Sequence, residues 1–213
     1  MHLNSLRLPL FPLSLVLFPG TTVPLHLFEP RYRQLLTDVE LGDRRFGIIC
    51  PVRVNGDNEV PAGRIGCIAE VTDVEMFPDG RSNIMVVGRA RFALDRVLED
   101  PAPYLVGEVS PFEDLPDGPA VALTLSADEL ASDFRRVVRA VHTLNETAMV
   151  VPALPDEPAQ LAWSIAAMID LDLDARQRLL GERLPSARLA TIDGVLRNAL
   201  PDLELRAAMH KPA

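Results

Sequence analysis

The sequence predicts an α+β fold, a β pseudo-barrel with one inserted helix followed by an α-helical bundle. Three observations carry this. Up to Phe112 the chain falls into short β-branched stretches punctuated by Gly and Pro, the pattern of a closed or nearly closed sheet. Within that half, the segment after Glu29-Pro30 instead has apolar residues at helical spacing. Beyond an acidic, turn-rich stretch, "EDLPDGPA" (113–120), the apolar period changes from 2 to 3.6. The chain thus divides into a barrel part, residues 1–118, and a helical part, residues 119–213.

The elements follow in order. "LPLFPLSLVLFPG" (8–20) places Leu13, Leu15 and Leu17 on one face of an extended segment, with Pro12 suited to a strand start or sheet edge. Val23 to Phe28 reads as a second strand. Pro30 is pre-shaped for the first position of a helix, and Tyr32, Leu35, Leu36 and Val39 give that helix one apolar face before Gly42 ends it. "RFGIICPVRV" (45–54) reads as a buried strand ending at the turn "NGDN". Residues 65–77 form a β-branched strand, "PDG" (78–80) a hairpin connection, and "SNIMVVGRARFALDRVL" a long strand or strand pair with a bulge or bend at Gly88. "YLVGEVSPF" (104–112) completes the set.

In the second part, Ser126 and Glu129 have the spacing of a capping box ahead of a stripe of Leu130, Phe134, Val137, Val138, Val141 and Leu144. Asp156 or Glu157 caps a helix with Pro158 in its first turn. Residues 172–183 read as a short helix. Ser186 caps a last one, which Pro201 bends or restarts.

Charge and composition exclude several function classes. The chain carries 30 Asp and Glu against 21 Lys and Arg, a net charge of −9, and neither part is basic. Phosphate-backbone binding and an anionic membrane surface are both disfavoured. The opening apolar run is about half the length of a membrane span, is broken by Pro9, Pro12 and Pro19, and lacks the cleavage site of an export signal. The expected location is the cytoplasm, without membrane contact. Cys50 and Cys67 read as buried core thiols, and with His2, His26, His142 and His210 they offer no metal-ligand spacing. No metal and no cofactor are expected.

The order and spacing of "LPLFPLSLVLFPGTTVPLHLFEPRYRQLL", "RFGIIC", "GRIGCIAEV", "PDGRSNIMVVGRARFAL" and "DEPAQLAWSIAAMIDLDLDARQRLLGERLPSARL" resemble the amino-terminal domain of the Lon protease family, nearest to its single-domain bacterial relatives. The resemblance implies a PUA-like pseudo-barrel with a helical bundle. It also implies a role in recognising protein substrates.

Lon's own chemistry finds no support in these residues. No Gly-Lys pair exists for a phosphate-cradling loop. A Ser–Lys peptidase dyad needs an amine beside the hydroxyl, and the single lysine, Lys211, is the third residue from the end. No G-x-S-x-G nucleophile elbow occurs, and Asp170, Asp172 and Asp174 read as a solvated loop. The expectation is a non-enzymatic protein- or peptide-binding module, with protein quality control as its setting. An RNA-binding PUA-like protein and a small-molecule-binding barrel are the alternatives.

Two stretches are candidates for the binding surface. In "FEPRY" (28–32), one reading packs Phe28 and Tyr32 inward, with Glu29 starting the helix and Arg31 ion-paired. The other exposes Arg31, Arg33 or Gln34 to a peptide, since Tyr32, Leu35 and Leu36 take the buried face. In "EMFPDG" (75–80), Met76 and Phe77 either form an apolar peptide patch or fold back as core. Arg89 and Arg91 alternate on one strand face, and with the negative charge of this part they read as solvated or ion-paired in preference to an RNA contact. The candidate set is therefore Glu29, Arg31, Arg33, Gln34, Met76 and Phe77, with no catalytic residue.

Overall fold

The computed structural model describes residues 5–147 and 152–210, so His2 and Lys211 lie outside the described residues. Its contacts divide the chain into two compact units. One comprises Met1–Glu113 and Leu171–Gly181, the other Asp114–Asp170 and Glu182–Ala213.

The first unit is the barrel. Its strands are β1 (Leu6–Pro12), β2 (Thr22–Leu27), β3 (Arg45–Ile49), β4 (Val52–Val54), β5 (Asp57–Glu59), β6 (Ile65–Met76), β7 (Ser82–Leu98) and β8 (Leu105–Pro111). The main sheet runs β2-β7-β6-β3-β1-β8, and β8 also pairs with β7, closing a ring of five strands with β2 on the flank. All pairings are antiparallel except β1 with β3. Helix α1 (Pro30–Glu40) follows β2 and buries Tyr32, Leu35, Leu36 and Val39. These join Phe11, Leu17, Leu27, Phe46, Ile48, Val71, Ile84 and Val86 in one core cluster, with the Phe11 and Tyr32 rings 4.0 Å apart. A second cluster gathers Leu8, Leu10, Ile49, Phe92, Leu94 and Val109.

Strand β7 exchanges partners partway along. Ser82–Val87 pairs with β2 and Phe92–Leu98 with β8. Gly88 stands at the exchange, donating to the Thr21 carbonyl and accepting from the Gly20 N–H. A Cβ on Gly88 would overlap the Phe18 carbonyl oxygen, so the interruption seen in the sequence is a close approach of backbone to backbone. Helix α4 (Leu173–Gly181) closes this unit: Gln177 donates to the Ile65 carbonyl at 3.0 Å, and the buried Arg91 donates to the Leu180 carbonyl at 2.6 Å.

The second unit is helical, with α2 (Ala120–Leu144), α3 (Pro158–Met168) and α5 (Pro185–Met209). Its core draws Leu130 and Phe134 from α2, Leu161, Trp163 and Ile165 from α3, and Leu189, Ile192, Leu196 and Leu200 from α5. The Glu157 carboxylate accepts the N–H groups of Ala159 and Gln160, capping α3 as expected. The observed architecture is the α+β one the sequence predicts.

Several local expectations are corrected. The first strand is Leu6–Pro12, and Leu13 to Leu17 is irregular. Val16 and Leu17 are buried by packing, not by strand pairing. "RFGIICPVRV" is two strands, with β4 leaving the main sheet to pair with β5 across Asn55-Gly56. Asn55 and Gly56 both take positive φ, the geometry of a tight hairpin. The Ser126 capping box is interior to α2, which starts six residues earlier after Pro119. Ser186 does not cap α5; it is the helix's second residue, and its N–H and hydroxyl both reach Asp117. Helix α5 continues through Pro201, so the helix does not restart there.

Candidate functional site

The helix and hairpin singled out in the sequence meet in the first unit. Burial of Tyr32, Leu35, Leu36 and Val39 leaves Pro30, Arg33, Gln34, Thr37 and Glu40 along the flank of α1. Opposite them lies the end of the β6–β7 hairpin, where the Phe77 N–H donates to the Arg81 carbonyl and the Gly80 N–H to the Phe77 carbonyl. Asp79 stiffens the turn by accepting the Arg81 backbone N–H at 3.1 Å and its Nε at 2.7 Å. These bonds hold the Asp79 carboxyl below the usual carboxylate range, and the Arg33 charge adds to the effect. Between helix and hairpin runs a groove of about 380 Å³ whose lining includes Arg33, Gln34, Glu40, Met76, Gly80 and Ser82.

Gly80 shapes this groove. Its φ of 79° belongs to the left-handed region, and a Cβ there would overlap the Arg33 guanidinium. Arg33 therefore lies against bare backbone. Among the described residues the Arg33 side chain makes no ion pair, whereas the nearby carboxylates are engaged: Glu40 by Arg44 at 3.7 Å, Asp79 by Arg81, and Asp38 by Gln34 and Tyr104.

The structure brings Arg33, Gln34 and Met76 to one groove. Glu29 and Arg31 do not line it: they pair with each other at 2.8 Å, and the Arg31 guanidinium lies 4.5 Å from the Tyr32 ring centroid. Phe77 is half-buried, its ring 6.3 Å from His26, which in turn stacks on Phe28 at 6.1 Å. His26 is held by Asn83 at 2.8 Å, and Asn83 by Glu75 at 2.9 Å.

Phe28 corrects the inward-packing reading. It is 60% exposed, and Met76 is 70% exposed, so the two stand as bare apolar groups on this unit. The alternation in β2 carries the signal for Phe28. Leu27 is buried, Val23 and Leu25 are half-buried, and Thr22, Pro24, His26 and Phe28 fall on the opposite face. Arg89 is ion-paired to Glu70 at 2.8 Å, while Arg91 is buried below α4 with its guanidinium 4.9 Å from the Phe112 ring.

The second unit has its own cavity, an apolar groove of about 480 Å³ lined in part by Phe134, Val138, Val141, Met168, Val195 and Leu203, with His142 and Asp170 also in its wall. It exists because the α2 stripe outruns its cover, leaving Val141 38% exposed. Among the described residues no cluster of three metal-ligating side chains occurs, and no helix is long and apolar enough to cross a membrane. Cys50 and Cys67 are free and buried, and burial pushes the Cys67 thiol up to about 12.

The family described as the ATP-dependent protease La (LON) substrate-binding domain matches residues 7–197. The chain belongs to that family. Lon protease of Flavobacterium johnsoniae is 26% identical over 164 residues, which is 74% of this chain and 18% of that protein. Lon protease of Xanthomonas oryzae is 29% identical over 187 residues, 84% of this chain and 22% of that protein. The chain thus spans about a fifth of the length of these curated relatives. Among solved structures, a Lon N-terminal domain protein from Xanthomonas campestris is 30% identical and superposes with a TM-score of 0.63, covering 89% of this chain and 98% of that one. The N-terminal domain of a Mycobacterium avium complex Lon protease superposes with a TM-score of 0.67 at 15% identity, over 90% of this chain and 98% of that one, a likeness of fold.

Proposed function

We propose that this chain is a non-catalytic recognition module that binds exposed apolar segments of other polypeptides. The binding face is the surface of α1 and the β6–β7 hairpin. Arg33, Gln34 and Met76 line its groove, Phe28 and Phe77 supply apolar contact beside it, and Glu29 and Arg31 frame the start of α1. The observation that carries the reading is the pair of bare side chains, Phe28 and Met76, on a domain of a substrate-binding family. We place the recognition surface in the barrel part, residues 1–118, and take 119–213 as its helical companion, with Leu171–Gly181 returning to the barrel. The setting is cytoplasmic protein quality control, which suits two free thiols.

The net charge of −9 weighs against RNA as partner. The experiment is titration of the chain into a fluorescently labelled, permanently unfolded polypeptide, read by anisotropy. Binding that weakens about tenfold or more in the Phe28→Ser/Met76→Ser variant supports the reading. No binding, or equal binding by the variant, overturns it.

A further inference from the structure

Every cation lining or bordering the helix–hairpin groove has a carboxylate partner except one. Arg44 faces Glu40 and Arg81 grips Asp79, but the Arg33 guanidinium has no ion pair among the described residues. Arg33 is half-buried, and Gly80 gives it a flat backbone surface to lie against. A guanidinium held in this way is a preorganised fork for a planar anion. Asp79 feels its charge but spends both carboxylate oxygens on Arg81. In a chain of net charge −9, this groove is lined by one arginine that has no ion pair among the described residues.

We infer that Arg33 reads a carboxylate, and that the preferred occupant is an extended apolar segment carrying an internal Asp or Glu side chain. The inference rests on the peptide-binding reading above and deepens it. Its geometry favours a through-running chain over a chain end. The lining positions of α1 extend from Pro30 to Glu40, about 15 Å along the axis at a rise of ~1.5 Å per residue, room for roughly four extended residues. Arg33 is interior to that span, with Pro30 on one side and Thr37 and Glu40 on the other. Met76 lines the same groove and takes the apolar neighbours of the acid. Glu40 repels a second acid at the far end.

The test uses short labelled apolar peptides that are twins, identical except for one central Glu or Gln, with amidated C-termini, and the Gln twin again with a free C-terminus. The expected result is that the full chain binds the Glu twin about tenfold or more tightly than the Gln twin. That margin should vanish in Arg33→Gln and survive in Arg53→Gln, which removes an exposed arginine outside the groove. Equal binding of the two amidated twins by the unaltered chain overturns the inference and leaves the peptide-binding reading standing. This comparison needs no variant, so it holds even if Arg33→Gln unfolds. An Arg33-dependent gain from the free C-terminus, with none from Glu, also overturns it. Absence of binding by every twin removes both proposals.

Discussion

The Arg188 guanidinium, fully buried, holds the Asp114 carboxylate through two hydrogen bonds of 2.5 and 2.6 Å and lies 4.2 Å from the Trp163 ring centroid. A third bond, at 3.1 Å, goes to the Glu182 carbonyl. One side chain on α5 thus gathers the segment before α2, the segment before α5 and the face of α3. The Asp114 side chain is one-third exposed, but its removal strands a guanidinium that is fully buried. Asp114→Ala should therefore lower the unfolding free energy of the helical unit by about 3–5 kcal/mol in urea titration. The double variant Asp114→Leu/Arg188→Met should recover most of that loss. A stable single variant would show that Arg188 is satisfied without Asp114.

Two glycines should respond to alanine in opposite directions. At Gly88 the added methyl meets the Phe18 carbonyl oxygen, and neither backbone can yield without breaking the partner exchange along β7. Gly88→Ala should cost about 1–3 kcal/mol or more. Gly194 lies inside α5 with nothing near the new methyl group, so Gly194→Ala should stabilise the helical unit by about 1 kcal/mol. Thermal melts of the two variants against the parent chain check both signs.

The chain has two tyrosines, and both are raised above their ordinary pKa of 10. Burial raises Tyr104 to about 12, with a further push from its 2.7 Å hydrogen bond to Asp38. Burial also raises Tyr32, against the opposing charge of Arg31. A raised folded-state pKa favours the neutral phenol, so this stabilisation is complete below pH 10 and is lost as the pH climbs toward about 12. Absorbance at the tyrosinate band should stay flat through pH 10 in the native chain and rise there in urea. Asp38→Asn should bring one of the two native transitions down. A full native transition at pH 10 would contradict the packing of both rings.

Much of this was legible in the sequence, and what was not has physical reasons. The α1 stripe, Pro30 at its start and the Asp79-Gly80 turn are set by local geometry, and each forms where the pattern puts it. The first strand is displaced because the apolar run around Pro12 is continuous. Which part of it pairs is decided by β3 and β8, which lie far away in sequence. The Ser126 box satisfies a local rule, but α2 begins at Ala120, directly after Pro119, whose extended backbone stands outside the helix. At the site, position on the helix exposed Gln34 and left Arg33 half-buried. That Gly80 makes the bed for Arg33 could not be read, because it joins residues 47 apart with no pattern between them.

Phe28 and Met76 are costly residues to leave in water, and their packing gives no return for it. Phe28 stacks with an exposed His26, Met76 borders an open groove, and neither joins either core cluster of the barrel. Their contribution to folding should then be small. Phe28→Ser and Met76→Ser should each leave the unfolding free energy within about 0.5 kcal/mol of the parent, the range of ordinary surface substitutions. The same variants should lower the fluorescence of a bound apolar dye, because the exposed area is what the dye detects. A loss of more than about 2 kcal/mol in either variant would place that side chain in the fold and not in recognition, since that size of effect follows from emptying a core site. Retained stability with reduced dye binding would mean that these two positions are kept apolar for a partner.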